Sequence, residues 1–270
     1  MGDIPVFQRL DLAAAEVSIV LTNDPWFYLV GIAAALLFGI SKGGFGGGLG
    51  IVAVPLMSLV MSPVQAAGIL LPMLLVLDGA GIRAYWRQWH WQSFRLLGAG
   101  ALLGIGAGGL TFGLISTSTL RLIVGVVALT FAANYYFRRL RPLGPGAAPA
   151  GPWLGVLAGM AGGYTSTLAH AGSPPVNMYL LPKALPRHQF VATTVLLFAL
   201  VNVAKLVPYG LLGQLAPSNI WAAATLVPFG LLGVFFGVRL QRVLSDRWFY
   251  HLCYGLLLLV GAKLVFDGLG

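Results

Sequence analysis

Acidic residues are nearly absent from this chain. Seven Asp and Glu stand against sixteen Lys and Arg, and charged residues make up 9% of the 270 positions while hydrophobic ones make up 58%. So little charge cannot clothe a soluble surface, and the apolar runs far exceed the length of core strands. The chain therefore reads as an all-α integral membrane protein. Its formal charge of +9 would suggest a nucleic-acid partner for a soluble domain. Here the basic residues sit in short loops between apolar runs, where they set orientation, and a nucleic-acid partner is not supported. Cysteine is as scarce: Cys253 alone, inside an apolar run, supports no disulfide framework and reads as a small buried side chain. Three of the four histidines, His90, His188 and His251, lie near run ends without metal-ligand spacing, so neither a metal nor a cofactor is expected. The N-terminus carries Asp3, Asp11, Glu16 and Asp24 against one Arg9. With no basic leader before an uninterrupted apolar core, a cleaved signal peptide is not expected. Residues 8–21 suit an interfacial helix and a disordered tail equally.

What the chain has in abundance is glycine, concentrated where apolar runs break. Residues 39–55 carry Gly39, Ser41, Lys42, Gly43, Gly44, Gly46, Gly47, Gly48 and Pro55; residues 159–175 form an imperfect copy, with Gly159, Gly163 and Pro175 at the places of Gly39, Gly43 and Pro55. Six runs are long enough to cross a hydrocarbon layer of roughly 30 Å: residues 64–85, 94–115, 119–137, 188–212, 219–240 and 248–266. The four that flank the glycine-rich stretches, residues 26–40, 46–61, 153–161 and 173–181, are marginal or short and read as half-spans. Pro and Gly punctuate residues 141–152, which mark a linker between repeats at 26–140 and 153–270, after a tail at 1–25.

Basic residues orient the loops. Arg83, Arg87 and Arg95, then Arg138, Arg139 and Arg141, then Lys183 and Arg187, then Arg239, Arg242 and Arg247 mark four cytoplasmic loops. Residues 151–182 must then leave the cytoplasm and return, so the second broken segment is a hairpin. The same rule places residue 62 outside. If residues 26–61 also form a hairpin, both termini lie on the outer side. The expected fold is thus two inverted repeats, each a broken-helix hairpin plus three transmembrane helices, an arrangement that recurs among secondary transporters. Ala101-Leu-Leu-Gly104 against Gly230-Leu-Leu-Gly233, and Ser116 against Ser245, extend the correspondence, although small residues at this spacing also serve ordinary helix packing.

Irregular backbone at membrane depth must be buried in protein or line a wet cavity. On the second account, the returning legs, starting near Gly46 and Gly172, aim unpaired N–H groups at the membrane interior and form an anion site. The second tip adds Tyr164, Thr165, Ser166, Thr167, His170, Ser173 and Asn177 as hydrogen-bonding groups. On the other account the glycines let helices approach and the hydroxyls bond back to their own helix. Lys42 is the strongest charge candidate, with stabilisation of a helix C-terminus as its plainer role. Asp78 suits a coupling proton or an ion pair with Lys42 or Arg83. His170 suits protonation or a neutral hydrogen-bonded state. Lys205 is a weaker coupling candidate, since snorkelling to the outer interface accounts for it. Trp86, Trp89 and Trp91 read as an interfacial belt.

The run Gly-x-x-x-Gly-Gly-Phe-Gly-Gly-Gly from Gly39, followed by Pro55, with Ala161-Gly-Gly-Tyr164 and Gly172-Ser-Pro-Pro175, resembles the TauE/SafE family of sulfite exporters, over nearly all of the chain from Trp26. The resemblance implies a multi-pass carrier in a prokaryotic cytoplasmic (inner) membrane, exporting sulfite, an organosulfonate or a related small sulfur-containing oxyanion. Alternating access is the expected mechanism, either coupled to protons or as an electrogenic uniport. A channel is the nearest alternative, then a membrane enzyme or an assembly subunit. An enzyme is not expected, because no catalytic constellation is apparent. A homodimer in the lipid bilayer is left open.

Overall fold

The computed structural model describes residues 24–45, 50–112, 114–140, 151–183, 185–240 and 246–269. Among them are ten α-helices: α1 (Pro25–Gly44), α2 (Ala53–Met57), α3 (Pro63–Ala84), α4 (Trp91–Phe112), α5 (Thr117–Leu140), α6 (Pro152–Ala169), α7 (Ser173–Leu180), α8 (Arg187–Leu211), α9 (Pro217–Leu240) and α10 (Asp246–Leu269). Helices α1, α3, α4, α8 and α9, with residues 118–137 of α5, are long and apolar enough to cross a membrane. The expected tail at residues 1–23, the glycines at 46–48 and most of the linker lie outside the described residues.

Local chemistry explains where helices begin. Asp24 caps α1 by accepting from the Trp26 N–H at 2.9 Å, with Pro25 in the first turn, and Ser62 caps α3 by accepting from the Gln65 N–H at 3.2 Å, ahead of Pro63. Each cap satisfies an N–H the helix leaves orphaned, and proline there loses a donor that has no helical partner.

Helix ends required correction. The first leg does not stop at residue 40: α1 runs through Gly39, Lys42 and Gly43 to Gly44, 20 residues in all, and is itself a candidate span. Over the described residues 50–61 its return is not one helical leg but a 3₁₀ turn, Gly50–Val52, and the five-residue α2. Likewise α6 continues past residue 161 to Ala169. Glycine persists in these helices because neighbours press against it. A Cβ on Gly39 would lie 2.1 Å from the Gly230 carbonyl oxygen of α9, and one on Gly163 2.2 Å from that of Ala101 in α4. Backbone contact of this closeness is how membrane helices associate where lipid gives no hydrophobic driving force.

The resulting packing crosses the halves: α1 lies along α9, α6 along α4, and α3 and α8 pack together in the centre, while α5 and α10 pair at one side. Large apolar side chains point outward, Leu114, Leu211, Trp153 and Phe266 among them, as a lipid-facing surface requires. Inside, small residues and a few charged ones lie among large apolar side chains such as Phe27, Met57 and Leu70.

Candidate functional site

Both helix breaks converge on one cavity. Its walls are Phe38 and Lys42 from the last turns of α1, Leu74 of α3, Ser166 and His170 at the end of α6, Ser173 opening α7, and Phe198 and Asn202 of α8. Its volume is about 20 Å³, room for roughly one water molecule.

Two charged groupings meet there. Lys42, buried near the end of α1, forms a salt bridge to Asp78 of α3, whose other oxygen accepts from Asn202 Nδ2 at 2.7 Å. Of the two partners considered for Asp78, Lys42 is thus the one it meets. The second grouping is built on Lys205. Far from snorkelling to an interface, as its sequence position suggested, Lys205 is 0% exposed. Its helix α8 sits in the middle of the bundle against α3 and α4, so the ammonium turns inward. It donates to the Ser166 carbonyl and hydroxyl oxygens, each at 3.2 Å, and meets His170 Nδ1 at 2.6 Å.

The His170 ring is oriented from both sides. Its Nε2 lies 3.1 Å from the Ala67 carbonyl oxygen, a group that only accepts, so Nε2 carries a proton and Nδ1 faces the Lys205 ammonium as acceptor. The backbone beneath is itself a special position: His170 caps α6 in the left-handed conformation, φ 49°, with its N–H donating to the Ser166 carbonyl. Glycine is the usual residue at such a helix end, and a side chain there costs about 1–2 kcal/mol. That a histidine occupies it directs attention to the imidazole.

The other sequence candidates fall into three groups. Ser173 lines the cavity with Ser166, His170 and Lys42. Several serve the helices instead: Ser41 accepts from the Gly50 N–H at 3.2 Å, the Gly43 carbonyl accepts from the Tyr85 hydroxyl at 2.7 Å, and Gly44 ends α1. The Thr165 and Thr167 hydroxyls donate back to the carbonyls of Ala161 and Gly163, at 2.8 and 2.9 Å, Gly172 sits tight against Gly162, and Tyr164 packs on the core. Asn177 stands apart, its Oδ1 buried without a hydrogen-bond partner; Gly46, Gly47 and Gly48 lie outside the described residues. Among the described residues, Lys42 lines the cavity, Lys205 stands behind its Ser166 and His170 walls, and of the return legs Ser173, the first residue of α7, forms part of the wall.

Sequence reasoning passed over Asn202, Phe38, Leu74, Phe198 and two of the buried tyrosines, Tyr85 and Tyr209. Asn202 had a signal: it is a polar residue in the apolar run at 188–212, three positions before Lys205, and therefore on the same face of α8. The tyrosine contacts repeat. The Tyr209 hydroxyl donates to the Thr167 carbonyl at 2.7 Å, as Tyr85 does to Gly43; Tyr209 lies 124 residues after Tyr85, and Thr167 lies 124 after Gly43.

A bundle with six apolar spans, lipid-facing greasy side chains and a buried cationic cavity between broken helices defines a multi-pass membrane protein with a polar centre. More particularly, the chain matches the family model of the sulfite exporter TauE/SafE over residues 31–264 and belongs to that family. Membership makes it a membrane transporter of sulfite-like anions rather than an enzyme. No curated protein and no solved structure matches the chain.

Proposed function

We infer that this chain is a secondary carrier that exports a small sulfur-containing oxyanion, such as sulfite or an organosulfonate, by exposing the central cavity to each side in turn. The observation that carries this reading is the charge at the cavity. Asp78 is the only carboxylate between Asp24 and Asp246, and it is engaged by Lys42 and Asn202, so among the described residues the hydrogen-bond partners of Lys205, Ser166 and His170, are neutral. A buried ammonium without a counter-ion favours an anion. Ser166, Ser173, His170 and Asn202 supply hydrogen-bonding groups, and the cargo enters when side chains move apart, since roughly one water fills the closed cavity.

Two inverted repeats, 26–140 and 153–270 joined by the linker at 141–152, fit the way contacts recur. Gly39 meets the Gly230 carbonyl and Gly163 meets that of Ala101; Gly163 lies 124 residues after Gly39, the offset of the tyrosine pairs and of Asn202 from Asp78. This register makes Gly163 the counterpart of Gly39 in place of Gly159, a shift of four residues and so of one helical turn. Related halves that each hold a tyrosine latch on a broken helix give two equivalent gates. Asp78 and His170 are the groups through which a proton gradient would drive export, and the basic loops favour a cytoplasmic membrane with both termini outside.

The test is a proteoliposome panel of sulfite, sulfate, thiosulfate, sulfoacetate and taurine, each with and without a pH gradient. Saturable uptake with counterflow is expected for at least one anion; flux at channel rates without counterflow would overturn the carrier mechanism.

A further inference from the structure

On the carrier reading, and resting on it, the charges around the cavity also bear on which valence of anion is accepted. Asp78 does not line the cavity. It stands behind the wall, 3% exposed, with one oxygen on Lys42 and the other on Asn202 Nδ2 at 2.7 Å, both of which do line it. Lys42 and Asn202 thus stand between the cavity and the carboxylate, which acts on a substrate there through its field. The Lys205 ammonium, which stands behind the Ser166 and His170 walls, has the Ser166 carbonyl and hydroxyl and His170 Nδ1 as partners, all neutral acceptors. As ammonium groups the two lysines bring two positive charges and Asp78 one negative; His170, held between Lys205 and the Ala67 carbonyl, adds none. Tyr209, whose ring lies 6.2 Å from that of His170 and whose hydroxyl bonds the Thr167 carbonyl, adds none either. One formal positive charge is left.

We propose that Asp78 sets the valence of the cargo: by cancelling one of two lysine charges from behind Lys42 and Asn202, it matches the cavity to a singly charged oxyanion and works against a doubly charged one. A monoanion brings the loaded cavity to neutrality. A dianion leaves one negative charge buried without a counter-ion, and burying an uncompensated charge is among the most expensive steps in protein energetics. Sulfite-like cargo then travels in its hydrogen-bearing or carbon-substituted forms, which carry one charge. The asymmetry is written into the two halves, because the residue 124 positions after Asp78 is the neutral Asn202.

Anions of fixed valence separate this from any effect of pH. Full-length protein in liposomes is given methanesulfonate, which carries one charge, or sulfate, which carries two, at neutral pH. Wild type is expected to take up methanesulfonate and to discriminate against sulfate. Asp78→Asn, which raises the formal sum to two, is expected to shift that preference toward sulfate by at least about tenfold, since a buried unit charge acts strongly at this range. Asn202→Asp lowers the sum to zero and should cut methanesulfonate uptake by at least about tenfold; it serves where Asp78→Asn, which strands Lys42, fails to fold. Equal uptake of both anions by wild type, an unchanged preference in folded Asp78→Asn, or undiminished methanesulfonate uptake in Asn202→Asp overturns the valence rule while leaving the carrier intact. Uptake of neither anion by wild type that still takes up sulfite overturns the valence rule alone; uptake of none of the three overturns the carrier reading with it.

Discussion

Replacing Lys205 by methionine tests the charge at the centre most directly. The side chain is fully buried and reaches Ser166 and His170, and methionine fills nearly the same length without a charge. Two effects on stability oppose one another. The Ser166 hydroxyl and the His170 Nδ1 lose their donor, at about 1–3 kcal/mol for each buried acceptor left unsatisfied, while the Ser166 carbonyl keeps the His170 N–H. Against this, an ammonium with no carboxylate partner no longer has to be buried, which relieves several kcal/mol. The terms are of similar size, so thermal unfolding in detergent should move by only a few degrees. Anion binding has no such compensation. A charge-assisted hydrogen bond from the ammonium to the oxyanion contributes about 1.5–3 kcal/mol, so the Kd should rise about 10- to 150-fold. Calorimetric titration of the purified variant with sulfite, beside its melting curve, checks both halves of the expectation. A folded Lys205→Met protein that binds within about threefold of wild type would show that the anion does not rest on this lysine.

Two glycines on one helix should behave oppositely. A Cβ on Gly104 would lie 2.0 Å from the Met160 carbonyl oxygen, whereas one on Gly106 would meet nothing within 4 Å. Gly104→Ala is therefore expected to force α4 from α6 and destabilise the protein by about 1–3 kcal/mol, while Gly106→Ala stabilises it by about 0.5–1 kcal/mol through helix propensity; unfolding in denaturant compares them. Tyr85→Phe and Tyr209→Phe each remove a hydroxyl that satisfies a carbonyl near a broken-helix end, at about 1–3 kcal/mol. On the carrier reading they also loosen opposite gates, so cysteine labelling of the cavity should rise from one side in one variant and from the other side in the other. The valence test with methanesulfonate and sulfate completes the set.

Several features were legible because they depend on composition or on neighbours in the chain. Long apolar runs gave the spans, since a hydrocarbon layer admits only backbone that satisfies itself. The interruption near both glycine-rich stretches, and a Lys42–Asp78 pair as one option for Asp78, could be read from residue type and spacing. Helix ends at the breaks could not. Isolated glycine lowers helix propensity, so the first leg looked finished at residue 40; the carbonyls of α9 pressing on Gly39 and Gly43 are what keep that helix intact to Gly44. Lys205 was misjudged for a related reason. Periodicity tells which residues share a face of α8, but not that this face is turned toward α3 and α6 rather than toward lipid.

The sequence by itself thus determined that the chain spans a membrane, that its apolar runs break at two glycine-rich stretches, and that Asp78 is the single acidic side chain between Asp24 and Asp246. Only the tertiary structure decided that Lys42, Asp78, Asn202, Lys205 and His170, drawn from α1, α3, α8 and the end of α6, meet around one small cavity. Hydropathy and propensity act over a turn or two of chain. The separation of Asp78 from Lys205, with one lysine paired and the other left to neutral acceptors, is a product of helices crossing from one half of the chain to the other.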